Sequence, residues 1–275
     1  MIEHPALATL RGLLHDEPSL EVFDRMLALF QDWDSPETRS TGIDYARSHL
    51  RTWDNSFFID YLNVVQWHEL ATIQQLHQKH KAIHVALDMV GFDTGTAAAG
   101  RLLKTGRIAA YHGLRIHLER DHGGWAKVTE PEGALPKGKA ISFAEFLGSG
   151  YDLEHDTVRI YNYSGNSKGG TGWDGMARAL LNPPYGVRLG LRHRLGDPNH
   201  AEEETAAMQA LLRQFLHDAF GVEDTRHTDH LRCVAWSTDW STYFDPGKEW
   251  WGSFCWTVHN LEAGHVVALF ASATD

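Results

Sequence analysis

Between residues 232 and 273 the sequence leaves little choice of structure. Residues 232–237 and 253–258 are short arms rich in β-branched and aromatic side chains with period-two alternation, and Leu261 to Gly264 supplies a turn into a third arm, 265–271. Isolated hairpins are marginal in water, so arms of this kind pair with one another and need an apolar cover. The expected result is an antiparallel meander. The cover is legible too: residues 197–220 carry Met208, Leu211, Leu212, Phe215 and Leu216 at helical spacing, with Glu202 to Glu204 near the start and Gly221 after the end.

The chain before residue 106 reads differently. Leu7, Leu10, Leu13 and Leu14, then Val22, Phe23, Met26, Leu27 and Phe30, recur every three or four residues, predicting two helices separated at Asp16 to Pro18. A third helix is expected over 36–52, and Trp33-Asp34 is echoed by Trp53-Asp54 in a faint repeat. Residues 66–87 return to a helical pattern, and the glycine-rich 91–106 reads as a connection and a domain boundary. From Arg107 to Glu119 the apolar residues alternate again, predicting a strand or a hairpin. Further strands are expected at 157–163 and 187–191, and Ser142 with Glu145 has capping-box spacing for a short helix. The predicted class is α+β: a mainly helical part over 1–106, then an antiparallel sheet packed on a long helix over 107–275.

Composition narrows the partners. The net charge of −11 repels phosphate backbones, which argues against nucleic acid and favours a basic protein. No apolar run approaches the ~20 residues of a membrane span. The two cysteines, Cys233 and Cys255, are too few for a disulfide framework, and the opening MIEHPALATL has an acid and a proline where a secretory leader has basic residues. A cytoplasmic protein is the expectation.

Two features point toward function. In the 238–252 loop the carboxylates Asp239, Asp245 and Glu249 are interleaved with Trp240, Tyr243, Phe244, Trp250 and Trp251. Rigid aromatics beside acids suit the recognition of a basic partner, so a non-enzymatic binding module of immunity or antitoxin type is the first expectation, with no cofactor. The turn at Pro246-Gly247 is expected to bring Asp245 and Glu249 together. The alternative is a metal- or carboxylate-dependent hydrolase using Asp239, Asp245 or Glu249 as acid and base, with His227 and His230 as metal ligands. The second feature is His77, His80, His84 and Asp88, spaced three, four and four on the expected helix; imidazoles so placed can share a divalent ion, although Lys81 beside them repels one.

Overall fold

The computed structural model describes residues 5–16, 20–31, 67–83, 85–95, 101–121, 135–158, 174–183, 201–249 and 251–273, with single positions at 41–48 and at 128. Contacts divide the chain into two units, one comprising residues 1–67 and 129–135 and the other residues 68–128 and 136–275. In the first, helices α1 (Pro5–Leu13) and α2 (Leu20–Gln31) bury Leu10, Leu13, Leu14, Val22 and Met26, the residues whose spacing predicted them. The expected Trp33/Trp53 repeat and the strand at 187–191 lie outside the described residues.

The second unit is built on a six-stranded antiparallel sheet. Its strands are β1 (His68–Glu69), β2 (Asp88–Asp93), β3 (Gly138–Ile141), β6 (Leu231–Trp236), β7 (Ser253–Asn260) and β8 (His265–Ser272), in the spatial order β1-β2-β8-β7-β6-β3. A separate pair joins β4 (Tyr151–Asp152) to β5 (Thr157–Val158), where a longer strand was expected; residues beyond 158 lie outside the description. The expected meander is the centre of the sheet, and the fold is α+β. Register places Cys233 opposite Val258 and Cys255 opposite Phe270. Successive side chains alternate faces, so the two thiols lie on opposite faces of the sheet and cannot form a bond.

Each face has its own cover. On the side of Met89, Cys233, Trp256, Val258, Val267 and Leu269 lies a core completed by α5 (Phe143–Leu147), α6 (Gly175–Leu181) and α7 (Ala201–Phe220), with Met208, Leu212, Phe215 and Phe220 fully buried. The short α5 begins with the capping box anticipated at Ser142 and Glu145. Helix α3 (Ala71–Lys81) packs on β2 from this side too: a Cβ on Gly91 would fall 2.6 Å from an Ile73 methylene, so glycine is needed for helix and strand to approach. Gly91 is therefore a strand residue, not the start of a connection.

The other face is covered by α4 (Leu102–Asp121), which corrects the expected strand at 107–119. Ile108, Ala109, Ala110, Tyr111, Leu114 and Leu118 are all buried, so the helix is apolar most of the way round and its pattern imitates alternation when read residue by residue. Gly113 brings it against Phe92, Ala268 and Phe270 of the sheet. The helix expected over 66–87 is likewise shorter, ending at Lys81 so that Leu87 and Asp88 can turn into β2. No helix among the described residues is long and apolar enough to cross a membrane.

Candidate metal centre

Three side chains converge at the start of β2. Leu87 and Met89 are buried on the α7 side, so pleating turns Asp88 to the α4 side. The edge strand β1 pairs only with Phe92 and Asp93, which leaves the flank of Asp88 without a strand neighbour. Helices fill that flank. In α3 the buried residues Ile73, Leu76, His77 and His80 form one stripe, and in α4 Leu114, His117 and Leu118 do the same. His77 and His117 thereby approach Asp88 from the two helices, and one donor atom from each of the three residues lies within 4.8 Å of the others.

The separations are near those of a coordination shell, one at hydrogen-bond distance and one longer. His117 Nε2 is 3.1 Å from Asp88 Oδ2, and His77 Nε2 is 3.8 Å from Asp88 Oδ1. A tetrahedral ion with bonds of about 2.0–2.1 Å holds its donor atoms about 3.3 Å apart. The rings of His77 and His117 meet edge to face with centroids 5.7 Å apart. His77 is 3% exposed, yet among the described residues neither of its ring nitrogens has a hydrogen-bond partner. A buried imidazole left unsatisfied costs free energy, and a cation between it, Asp88 and His117 would remove that cost. Burial holds the His77 pKa below the usual imidazole range, with Asp88 pulling in the opposite direction, so the ring tends toward the neutral form that ligates.

A ring of polar groups surrounds the three. The Tyr243 hydroxyl donates to Asp88 Oδ2 at 2.5 Å, and its ring stands edge-on to His117. Burial works to raise the Asp88 pKa, but His117 and Tyr243 outweigh it and keep the carboxylate ionised; burial and Asp88 together push the phenol well above its ordinary value. Asp121, the last residue of α4, accepts from Lys81 Nζ at 2.8 Å through Oδ1 and directs Oδ2 toward His117 Nδ1 at 3.3 Å and His77 Nε2 at 3.5 Å. Burial again opposes ionisation of Asp121, and Lys81 with His117 overcomes it. The Asp88 side chain keeps 22% of its surface accessible, while His77 and His117 are almost wholly enclosed.

Of the helical histidine cluster anticipated from spacing, His77 and Asp88 belong to the site. His80 turns away to pack against the Phe215 ring, centroids 5.4 Å apart, and burial lowers its pKa to about 4. His84 lies outside the described residues. Spacing could not reveal His117, because it was assigned to a strand.

The 238–252 loop is placed differently from the expectation of an aromatic face. Trp240 and Phe244 are fully buried, Tyr243 and Trp251 nearly so, and Trp250 lies outside the description. Trp240 donates through Nε1 to the Ser237 carbonyl, and its ring stacks on Tyr111. Trp251 donates to the Asn182 carbonyl at 3.1 Å beneath the Arg178 guanidinium. Large rings between strands gain more by packing than by display, so these are core anchors. Asp239, Asp245 and Glu249 stay exposed. Residues 245–248 form a helical turn, where Asp245 binds Lys248 at 2.9 Å, instead of a reversal that joins Asp245 to Glu249. His227 is exposed and pairs with Asp224; neither it nor His230 joins a three-residue ligand group among the described residues. From the 227–249 stretch, Tyr243 touches the centre built by His77, Asp88 and His117.

Compared with protein-family models, curated proteins and solved structures, the chain finds no match.

Proposed function

We propose that the protein is a divalent-metal-dependent enzyme of the hydrolytic class, with its ion held by His77, Asp88 and His117. The observation that carries this reading is the buried His77 ring, whose two nitrogens are both unpartnered while Nε2 faces a carboxylate and a second imidazole. Two imidazoles and a carboxylate suit zinc, iron or manganese, and three protein ligands leave a coordination position for water or substrate. Water bound to an ion held there would be acidified toward neutral pH and would serve as the nucleophile. The chain's own contribution is to fix the donors: Tyr243 orients Asp88, whose side chain stays partly exposed.

The binding-module expectation retains the net charge of −11 and the exposed Asp239, Asp245 and Glu249, but Trp240, Tyr243, Phe244 and Trp251, four of the rings that would anchor a basic partner, are in the core. It is not the reading advanced.

The test is metal content followed by activity. Protein purified without chelator and analysed by elemental mass spectrometry should carry about one equivalent of zinc, iron or manganese. Chelation should abolish, and the same metal restore, cleavage within a panel of ester, amide and phosphoester model substrates. A protein that neither retains nor takes up a divalent ion overturns the proposal. Binding without any metal-dependent hydrolysis overturns its enzymatic part.

A further inference from the structure

Resting on that metal-centre reading, we infer that Asp121 is a positioning carboxylate: it accepts the Nδ1 hydrogen of His117 when the ion is bound, and Lys81 holds it ready to do so.

A neutral imidazole carries a single hydrogen, on one of its two nitrogens. His117 Nε2 lies 3.1 Å from Asp88 Oδ2, and Nδ1 lies 3.3 Å from Asp121 Oδ2. The ring thus stands between two carboxylates, one at each nitrogen. A neutral ring carries only one N–H, so it can donate to only one of them. When Nε2 gives its lone pair to a metal beside Asp88, the hydrogen must be on Nδ1, and Nδ1 faces Asp121. The required acceptor is already in place, and it is idle. Among the described residues Asp121 Oδ2 is buried and has no hydrogen-bond partner, although His117 Nδ1 lies 3.3 Å and His77 Nε2 3.5 Å away. Metal loading is expected to turn the His117 ring so that Nδ1 donates to this oxygen.

The other oxygen explains why Asp121 stays in position. Oδ1 is bound by Lys81 Nζ at 2.8 Å, so the carboxylate is clamped from the solvent side while Oδ2 points inward. Lys81 lies one helical turn from His77 on α3, and Asp121 one turn from His117 on α4, so the clamp ties together the two helices that present the imidazoles. This assigns a role to the lysine that, in the sequence, counted against a cation near His77. It neutralises the outer carboxylate instead of competing for the inner one. Outer partners of metal-bound imidazoles fix ring orientation and raise ligand basicity, and their loss typically weakens metal affinity 10- to 100-fold.

The experiment uses the full chain with zinc and cobalt(II) as probes. In wild-type protein labelled with nitrogen-15 in histidine, zinc loading should place the His117 hydrogen on Nδ1 and slow its exchange with water. Asp121→Ala should weaken zinc binding roughly 10- to 100-fold and shift the visible spectrum of the cobalt-loaded protein, while Asp121→Asn, whose amide oxygen can still accept from Nδ1, should recover most of the affinity. Lys81→Met should give a smaller loss, and because it removes an exposed side chain it serves as a variant that keeps the fold. Unchanged affinity and cobalt spectrum in Asp121→Ala, or a zinc-loaded His117 with its hydrogen on Nε2, overturns the inference while leaving the metal centre intact. Failure of the wild-type protein to bind zinc or cobalt overturns the centre itself, and this inference with it.

Discussion

The Tyr243 hydroxyl donates to Asp88 Oδ2 at 2.5 Å, joining the turn before β7 to the first residue of β2. The aromatic loop that stands out in the sequence therefore acts from inside: one of its rings buttresses Asp88, a ligand of the proposed metal centre. Tyr243→Phe preserves the ring and its contact with His117 but removes one of two donors from a mostly buried carboxylate oxygen, leaving it His117 Nε2 at 3.1 Å. The expected cost is about 1–3 kcal/mol of stability in the metal-free protein, measured by urea denaturation. Metal affinity should fall as well. Unchanged affinity would remove Tyr243 from the centre.

His77→Leu separates stability from function. Replacing an unsatisfied buried imidazole with an apolar side chain of similar bulk should leave the metal-free fold as stable as wild type or more so, by about 1–2 kcal/mol, while abolishing metal binding. Thermal melts with and without zinc provide the check. The wild-type midpoint should rise on adding zinc, and the variant's should not move.

Trp251→Ala tests the inward reading of the loop. The ring is 4% exposed and held by Asn182 and Arg178, so its loss should destabilise the fold by about 3–5 kcal/mol, whereas Glu249→Gln, at an exposed position, should change stability by less than about 0.5 kcal/mol. Chemical denaturation of the two variants reads both effects. Near-wild-type stability of Trp251→Ala would return the ring to the surface.

These particulars show where the sequence is legible. The meander, the 201–220 helix and the Ser142–Glu145 cap rest on local signals, namely alternation, a leucine stripe and a short spacing rule, and all three are present. The site was half visible. His77 and Asp88 were marked by spacing on a single helix that in fact stops at Lys81, and they meet because the chain turns back into β2. His117 was hidden because α4 is sandwiched against the sheet, and a helix buried on most sides loses the amphipathic contrast that identifies helices. The aromatic loop misleads for a different reason: composition shows that rings and acids are adjacent in sequence, but not that Trp240, Tyr243, Phe244 and Trp251 point inward and the acids outward.

Acid should weaken the fold through histidines outside the centre. Burial lowers the His259 pKa to about 4 and that of His112 to about 3, and His259 Nε2 has no hydrogen-bond partner. The unfolded chain titrates near 6.5, so as pH falls it takes up protons before the folded protein does. The contribution is complete above about pH 6.5 and is lost progressively toward pH 4, reaching about 3 kcal/mol for His259. His259→Leu should flatten the stability profile over that window, as followed by urea denaturation at a series of pH values. An equally steep profile in the variant would assign the acid sensitivity to other groups.

The central claim is tested most directly by an anomalous-scattering map from crystals grown with zinc. The account predicts a single strong peak within bonding distance of His77 Nε2, His117 Nε2 and an Asp88 carboxylate oxygen, with His117 Nδ1 facing Asp121. An empty site between these residues at saturating zinc, or a peak bound only by surface histidines such as His227, would contradict it.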